Sequence, residues 1–189
     1  MTVRQSTILL NEIVIPRNTL IVLCGPAASG KSTWAAKHFL PTQVVSSDEC
    51  RALVFDDAAN QSVSQHAFDL MHFIIAKRLT LGRLTVADAT NLKREHRKKL
   101  LRIAWKHRFN TAVIVFNIPI DRCLERNANR TRSVPRDALS DQHALLEKTL
   151  RKINEEGFNY VCVLDENSQL SATVKVRRHF NRRSGPQAP

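Results

Sequence analysis

A phosphate-binding pattern lies near the start of the chain, in the run GPAASGKS from Gly25 to Ser32. It matches G-x-x-x-x-G-K-[ST], the P-loop pattern, with an apolar strand before it and a helical pattern after it. The glycines let backbone N–H groups converge on phosphate oxygens, and the positive end of the following helix dipole adds to the attraction. The residues expected to bind ATP are Gly25, Ala28, Ser29, Gly30, Lys31, Ser32 and Thr33.

Three side chains at or near this loop are candidates for handling the charge of the γ-phosphate. Lys31 is expected to reach the β- and γ-phosphates, and the hydroxyl group of Ser32 is expected to coordinate a Mg²⁺ ion that bridges them. Asp88 follows an apolar run, at a position where a carboxylate orients magnesium through water. The alternative for Asp88 is a structural role in binding the backbone of its own loop. The predicted metal-binding residues are therefore Ser32 and Asp88.

An acid and a base follow another apolar run. Asp48 and Arg51 are three residues apart, so in a helical turn both side chains point the same way across the mouth of a cleft. Asp48 would accept the proton of an attacking hydroxyl group, and Arg51 would hold a neighbouring phosphate of the acceptor. The alternative is a helix N-cap aspartate with a structural ion pair.

Arginines are concentrated between residues 122 and 136, where five of them stand against one acid. Arg126 and Arg130 are one helical turn apart and would share one face of a helix. From a mobile segment they would close over the triphosphate and stabilise charge on the transferred group, with Arg132 and Arg136 extending this lid. The alternative is a solvated basic helix face. The candidate catalytic residues are thus Lys31, Asp48, Arg51 and Arg126, and Arg126 and Arg130 join the set expected to bind ATP.

The overall charge indicates a polyanionic partner. The chain has 29 Lys and Arg residues against 17 Asp and Glu, a formal net charge of +12, which favours nucleic acid. Residues 93–108 carry eight cations against one acid, and residues 173–183 carry five against none. The apolar runs are shorter than the roughly 20 residues that span a bilayer, and the N-terminus does not resemble a secretory signal. We therefore expect a cytoplasmic protein without membrane contact.

The length and the cysteines limit the architecture. A chain of 189 residues suits one globular domain with a buried core. The four cysteines lie far apart and form no C-x-x-C pair, which favours small buried residues over a zinc site or a disulfide framework. These cysteines are Cys24, Cys50, Cys123 and Cys162.

Apolar strands alternate with amphipathic helical stretches along the chain, without an internal repeat. Strands separated by single helices do not form hairpins, so the sheet should be mostly parallel, with helices on both faces. We therefore predict an α/β fold of the P-loop kinase type, a doubly wound parallel sheet with an arginine-bearing helical lid. The predicted strands are residues 8–15, Thr19–Cys24, 43–47, 84–87, 112–116 and Tyr160–Leu164, and the predicted helices are residues 31–39, 62–81 and 93–109.

Finer expectations concern the helix over residues 93–109 and the end of the chain. Asn91 is expected to cap this helix, and its apolar stripe is expected to face the sheet while its cationic side faces water. Beyond residue 168 the sequence is polar and basic, so we predict the P-loop domain over residues 1–168 and a basic, partly disordered tail over residues 169–189. The residues of the apolar stripe are Leu100, Leu101, Ala104 and Trp105.

Five blocks of the sequence resemble the 5′-kinase domain of bacterial polynucleotide kinase/phosphatase enzymes, which heal RNA and DNA ends, and more distantly the phage enzyme. The resemblance covers residues 13–164, and its long middle blocks are far more specific than the P-loop. The blocks are GPAASGKST (25–33), SSDECRALV (46–54), DDAANQSVSQHAFD (56–69), KRLTLGRLTVADATN (77–91) and CLERNANRT (123–131).

This resemblance implies transfer of the γ-phosphate of ATP, with Mg²⁺, to the 5′-hydroxyl end of RNA or DNA. It implies that Lys31 and Ser32 are phosphate and metal ligands, and that Arg126 is a lid arginine on the donor phosphates. It also implies that Asp48 is the general base and that Arg51 contacts a phosphate of the acceptor. Arg130 falls in the same block as Arg126.

Two features depart from that family. Its bacterial members join the kinase to a metallophosphatase and a ligase-like module, whereas no D-x-H or K-x-D-G pattern follows residue 164 here. We therefore expect a stand-alone kinase, or one that works with separate phosphatase and ligase enzymes. The second departure is Pro135, which lies where the family lid is expected to be uninterrupted helix.

Two other classes of function stay open at this point. One is a P-loop kinase of a small-molecule alcohol, which the net charge disfavours. The other is a basic nucleic-acid-binding module that uses ATP only as a switch between two conformations.

Overall fold

Five parallel strands form the centre of the fold in the computed structural model, which describes residues 12–130 and 132–177. Together with those of a second, smaller sheet, the strands of the described residues are β1 (Glu12–Pro16), β2 (Thr19–Cys24), β3 (Val44–Ser46), β4 (Thr85–Asp88), β5 (Asn110–Phe116), β6 (Tyr160–Leu164) and β7 (Thr173–Arg177). The helices are α1 (Lys31–His38), α2 (Ser47–Phe55), α3 (Ser64–Thr80), α4 (Arg94–Lys106), α5 (Ile120–Ala128), α6 (Arg136–Lys152) and α7 (Glu166–Ser171). Among the described residues, no helix combines the length and the apolar character needed to cross a membrane.

The central sheet has the strand order β3-β4-β2-β5-β6, and every neighbouring pair is parallel. Strand β2 lies in the middle, where Leu20 is paired with Thr85 of β4 on one side and with Thr111 of β5 on the other. All of β2 is buried, because helices cover both faces of a parallel sheet of this kind. The predicted parallel sheet is confirmed.

Two hydrophobic cores lie on the opposite faces of the sheet. Helices α3, α4 and α6 close one of them, which includes Met71 and Leu100. Helices α1 and α5 close the other, which includes Trp34 and Cys123. All four cysteines are buried and free, as the sequence predicts. Helices on both faces confirm the doubly wound α/β architecture.

A second, two-stranded sheet joins the two ends of the described chain. Strands β1 and β7 are parallel, with Glu12 opposite Thr173. Ile13 and Ile15 of β1 are buried in the core beside α1. This pairing brings together segments that are about 160 residues apart in the sequence, and it therefore depends on the whole domain having folded.

The predicted domain boundary at residue 168 is wrong. It falls within α7, and β7 follows, so residues 169–177 belong to the fold. These residues were expected to form the start of a polar tail because their composition is basic, but strand pairing with β1 orders them. Residues 178–189 of the predicted tail and residues 8–11 of the predicted first strand lie outside the described residues.

The predicted cap of α4 is also wrong. The N-cap of this helix is Lys93, and no side chain caps it. Asn91 instead has a positive φ of 47°, and its Nδ2 donates a hydrogen bond of 2.8 Å to the carbonyl oxygen of Leu23 in β2. Asn91 therefore ties the loop after β4 to the neighbouring strand.

The buried stripe of α4 differs from its prediction by one position. The buried residues of this helix are Arg97, Leu100 and Ala104. Trp105 is one residue further along, about 100° around the helix, and is 52% exposed. The expectation that Trp105 faces the sheet is wrong. It rested on the spacing of the apolar residues alone, whereas the buried face of α4 also includes Arg97 and is therefore turned away from Trp105.

A buried ion pair holds the start of α4 in place. The Nε of Arg97 donates to Glu156 at 2.8 Å, and its Nη2 donates to the other carboxylate oxygen. Its Nη1 donates to the carbonyl oxygens of Asn91 and Leu92 at 2.7 and 2.8 Å. These hydrogen bonds offset the loss of solvation of two charges that are almost fully buried. One guanidinium group therefore fixes the loop between β4 and α4.

We expect Glu156→Gln to lower the free energy of unfolding by about 3 kcal/mol, because it leaves the charge of Arg97 buried without a counter-charge. Urea unfolding measures this loss. The matched control is Glu147→Gln, which breaks a pair with Arg151 at 3.6 Å that is more than 70% exposed. The control should lose less than about 1 kcal/mol, and equal losses for the two variants would contradict the structural role of Glu156.

Candidate active site

The loops after β2 and β4 diverge at the carboxyl edge of the sheet. Strand β2 leads to α1 and strand β4 leads to α4, which pack on opposite faces. A crevice therefore opens between these two adjacent strands, the usual place for a ligand in such sheets. At its base the N–H of Gly25 donates to the carbonyl oxygen of Thr90 at 2.9 Å.

The crevice opens into a cleft of about 1080 Å³. Most of the predicted site residues line this cleft, while Gly25 and Ser29 are buried within the loop behind it. The tertiary structure therefore brings together most of the residues that the sequence predicted for the site. The predicted residues that line the cleft are Ala28, Gly30, Lys31, Ser32, Thr33, Asp48, Arg51, Asp88, Arg126 and Arg130.

Two glycines of the loop from Gly25 to Gly30 are required by the local geometry. Gly30 has a φ of 89°, and a β-carbon at this position would lie 2.3 Å from Nε2 of Gln169. A β-carbon at Gly25 would lie 3.0 Å from the β-carbon of Phe116. Larger residues would therefore distort the turn that directs backbone N–H groups into the cleft.

Lys31 lies over this loop, with only 7% of its surface exposed. Its Nζ donates to the carbonyl oxygen of Pro26 at 2.6 Å and to Oγ of Ser29 at 3.3 Å. Burial lowers the pKa of Lys31, and the nearby carboxylate of Asp88 acts in the opposite direction. The loop therefore holds a poorly solvated cation at the centre of the cleft.

Ser32 and Asp88 meet at the carboxyl end of β4. Burial raises the pKa of Asp88, while a hydrogen bond from Ser32 and the charge of Lys31 oppose that shift. A hydroxyl oxygen beside a carboxylate is the kind of donor set that Mg²⁺ prefers. The two residues therefore fit the magnesium site that the sequence predicts.

Asp48 and Arg51 lie in the first turns of α2. The cap of this helix is Ser46, whose side chain accepts from the N–H of Asp48 at 3.2 Å, so the alternative that Asp48 is the N-cap is wrong. Oδ1 of Asp48 accepts from Nη1 of Arg51 at 2.7 Å, and the same Nη1 donates to the carbonyl oxygen of Ala58. Arg51 is buried, whereas the side chain of Asp48 is 55% exposed. The carboxylate of Asp48 is therefore held in place yet reachable from the cleft.

Arg126 in α5 reaches the phosphate-binding loop from the other side. Its Nη1 lies 3.5 Å from the carbonyl oxygen of Ser29 and 3.4 Å from Oε1 of Gln169. Helix α5 ends before Arg130, whose N–H donates to Asn127 in a turn. The expectation that Arg126 and Arg130 share one helix face is therefore wrong, although both line the cleft.

The segment between α5 and α6 crosses to the side of the cleft that holds Asp48. Nη1 of Arg132 donates to the carbonyl oxygen of Ala58 at 2.7 Å and lies 3.9 Å from Asp48. Pro135 is the N-cap of α6, where its missing N–H is tolerated. The arginines predicted to form a helical lid therefore do not lie on one helix, because α5 ends at Ala128 and α6 begins at Arg136. Arg136 is not among the cleft-lining residues of the described chain.

Two glutamines of the site were not predicted. Oε1 of Gln142 in α6 accepts from the N–H of Ala27 at 2.7 Å, and Nε2 of Gln169 in α7 donates to the carbonyl oxygen of Ser29 at 2.8 Å. These contacts clamp the phosphate-binding loop from two helices. No local pattern could identify them, because they join residues more than 100 positions apart.

A protein-family model described as an AAA domain matches residues 20–150, which is more than half of the chain. The chain belongs to this family. The matched residues of the AAA domain include the loop that carries Lys31, helix α2 and helix α5. Among proteins of curated function, none matches the sequence.

Solved structures similar to this AAA domain include three that differ in their bound ligands and partners. A chain of the Pnkp1/Rnl/Hen1 RNA repair complex has a TM-score of 0.63 and 20% identity, over 73% of this chain and 47% of that chain. Kti12 of Chaetomium thermophilum, in complex with ADP-AlF3, has a TM-score of 0.59 and 16% identity, over 80% and 93%. The APS kinase CysC of Mycobacterium tuberculosis, in complex with AMPPNP and APS, has a TM-score of 0.52 and 15% identity, over 81% and 91%.

These likenesses show the fold, and they confirm the predicted α/β fold of the P-loop kinase type. This chain spans about half the length of the RNA repair chain that it matches. The AAA domain here combines a buried lysine, a hydroxyl–carboxylate pair and an exposed carboxylate around one cleft. That combination can bind an anionic ligand on one side and accept a proton on the other.

We expect Asp88→Asn to stabilise the ligand-free AAA domain near pH 7, by on the order of 1 kcal/mol. The raised pKa means that the folded chain binds the proton of Asp88 more tightly than the unfolded chain, so ionisation above the ordinary value of 3.8 lowers stability. The gain should therefore shrink as the pH falls towards 4. Urea unfolding across this range, without nucleotide or Mg²⁺, measures it, and a gain that does not depend on pH would contradict the assignment.

Proposed function

We propose that this AAA domain transfers the γ-phosphate of ATP to the 5′-hydroxyl end of a polynucleotide, RNA or DNA. The observation that carries the proposal is that the buried Lys31 and the exposed carboxylate of Asp48 line one cleft. An anionic donor held at the lysine and a hydroxyl group held at the carboxylate would then lie close to each other. Phosphoryl transfer needs positioning and charge neutralisation more than covalent help from the protein.

On the donor side, the chain would hold the triphosphate with backbone N–H groups and three cations. Lys31 would break its hydrogen bond to the carbonyl oxygen of Pro26 and turn its Nζ towards the β- and γ-phosphates. Arg126 and Arg130 would approach from the lid and stabilise charge on the transferred group. When Mg²⁺ is bound, at Ser32 and near Asp88, it neutralises phosphate charge.

On the acceptor side, Asp48 would take the proton of the attacking 5′-hydroxyl group. Arg51 orients this carboxylate through the 2.7 Å hydrogen bond. Arg51 also lines the cleft, and we propose that its guanidinium group holds the phosphate that follows the first nucleoside. Arg132, next to Asp48, adds positive charge on the same side.

A polynucleotide acceptor is supported by the net charge of +12 and by the sequence blocks that resemble end-healing kinases. The likeness to a chain of an RNA repair complex agrees with it. We accordingly propose a role in nucleic-acid end repair, together with phosphatase and ligase activities.

A small anionic alcohol is the second candidate acceptor. The likeness to APS kinase covers 91% of that chain, and arginines beside Asp48 suit a small anion as well as a nucleic acid.

Labelled ATP incubated with 5′-hydroxyl RNA and DNA oligonucleotides and Mg²⁺ distinguishes the candidates. We expect labelled oligonucleotide as the product, with GTP tested as a second donor. A parallel reaction contains APS, the ligand of the similar APS kinase. Efficient labelling of a small molecule without oligonucleotide would favour the second candidate, and hydrolysis of ATP without any labelled acceptor would indicate a nucleotide-driven switch.

We expect Asp48→Asn to lower the rate of phosphoryl transfer by about 100-fold or more, because an amide cannot accept the proton. The amide oxygen can still accept the hydrogen bond of Arg51, so the affinity for ATP should be retained. Single-turnover transfer and equilibrium ATP binding measure the two effects. The control is Glu49→Gln, since Glu49 is exposed in the same turn but does not line the cleft. Loss of ATP binding in Asp48→Asn would mean that Asp48 is structural.

A further inference from the structure

A basic surface on α4 and α6 has no part in the chemistry proposed above. All of its members are exposed. We propose that this surface, termed the α4 surface, binds the acceptor strand on the 3′ side of its 5′-hydroxyl end, as single-stranded nucleic acid. The proposal rests on the polynucleotide acceptor proposed above. The α4 surface consists of Arg94, Lys98, Arg102 and Trp105 of α4 and Lys148 and Lys152 of α6.

One end of the α4 surface is a pocket of about 370 Å³ between α4 and α6. Its acids are Glu95 and Glu156, and Arg97 already engages Glu156 through two hydrogen bonds. The remaining positive charge exceeds the negative charge, which suits a phosphodiester group. The cations that line the pocket, besides Arg97, are Lys93, Arg94, Lys148 and Lys152.

This pocket adjoins the cleft through two shared elements. The loop after β4 lines the cleft with Thr90 and the pocket with Leu92. Helix α6 lines the cleft with Gln142 and the pocket with Leu145, one helical turn further on. The pocket therefore lies next to the cleft, within reach of a strand whose 5′ end is bound there.

From the pocket, a line of side chains continues along α4. Lys98 and Trp105 are four and eleven residues after Arg94, which places all three within about 40° of one another around the helix. Arg94 and Trp105 are separated by about 16 Å along the helix axis. The line therefore leads from the pocket to an aromatic ring that is half exposed.

The composition of the α4 surface favours single-stranded nucleic acid over an acidic protein. Single strands are bound by cations that follow the backbone together with aromatic rings on which bases stack. Arg102 lies one turn before Trp105, so a base stacked on the ring would have a guanidinium group within reach of its phosphate. An acidic protein surface would satisfy the cations but would not need the exposed indole ring.

The test uses the whole chain and a 5′-hydroxyl single strand of about 16 nucleotides, a length that single-strand sites span. Trp105 and the buried Trp34 are the two tryptophans of the sequence, so quenching of the exposed indole reports stacking on Trp105. We expect the strand to quench this fluorescence. Trp105→Ala should weaken binding about tenfold or more, and Trp105→Phe should keep most of the affinity but lose the signal.

The lysines of the pocket are tested by the salt dependence of binding. Lys148→Ala combined with Lys152→Ala should reduce the slope of log K against log salt by about 1.4, since each phosphate contact on a single strand contributes about 0.7. The matched controls are Phe73→Ala, an aromatic residue on α3 that is 59% exposed, and Lys37→Ala combined with Arg83→Ala. Wild-type affinity in the Trp105→Ala and double-lysine variants would overturn the proposal, as would failure of the wild type to bind the strand.

Kinetics separate this proposal from the proposed kinase activity. The Trp105→Ala variant should lose about tenfold in kcat/KM for the 16-nucleotide strand relative to kcat/KM for a nucleoside 3′-monophosphate, which cannot reach α4. Transfer to the monophosphate with no strand binding would support the proposed kinase activity and contradict the proposed role of the α4 surface. Strand binding that depends on Trp105, with no transfer to any 5′-hydroxyl group, would support the role of the α4 surface and contradict the kinase activity.

Discussion

The site depends on the connection between the loops that follow β2 and β4. Asn91 donates to the carbonyl oxygen of Leu23, Thr90 accepts from Gly25, and Arg97 holds the carbonyl oxygens of Asn91 and Leu92. These loops must diverge for a crevice to form, so their bases need to be fixed to each other. The bonds of Asn91 and Gly25 supply that connection, and the buried Arg97 holds the loop after β4 in place because its planar group donates to several acceptors at once.

The cleft concentrates charge where solvation is poor. Burial lowers the pKa of Lys31 and raises the pKa of Asp88, so each group is less stable in its charged form than it would be in water. A folded protein tolerates such an arrangement when a ligand relieves it, and functional sites often carry local destabilisation of this kind. Lys31 and Asp88 therefore concentrate opposite charges in one poorly solvated part of the cleft.

Contacts from α6, α7 and Arg132 reach both sides of the cleft. Gln142 and Gln169 hold the phosphate-binding loop from α6 and α7, while Arg132 reaches the loop after α2. Arg132 and the two glutamines therefore contact both sides of the cleft. Helix α6 also borders the basic pocket beside α4, so it adjoins both the cleft and the proposed strand-binding surface.

The sequence by itself determined the strand–loop–helix around Lys31, the parallel sheet with helices on both faces, and the lysine, arginines and aspartates that line the cleft. These follow from local patterns, since apolar periodicity and glycine spacing act over short stretches of chain. Only the tertiary structure decided that Asn91 ties two strands, that Trp105 is exposed, and that β7 completes the fold. Each of these outcomes depends on contacts between residues far apart in the sequence, and such contacts form only once the sheet has brought the segments together.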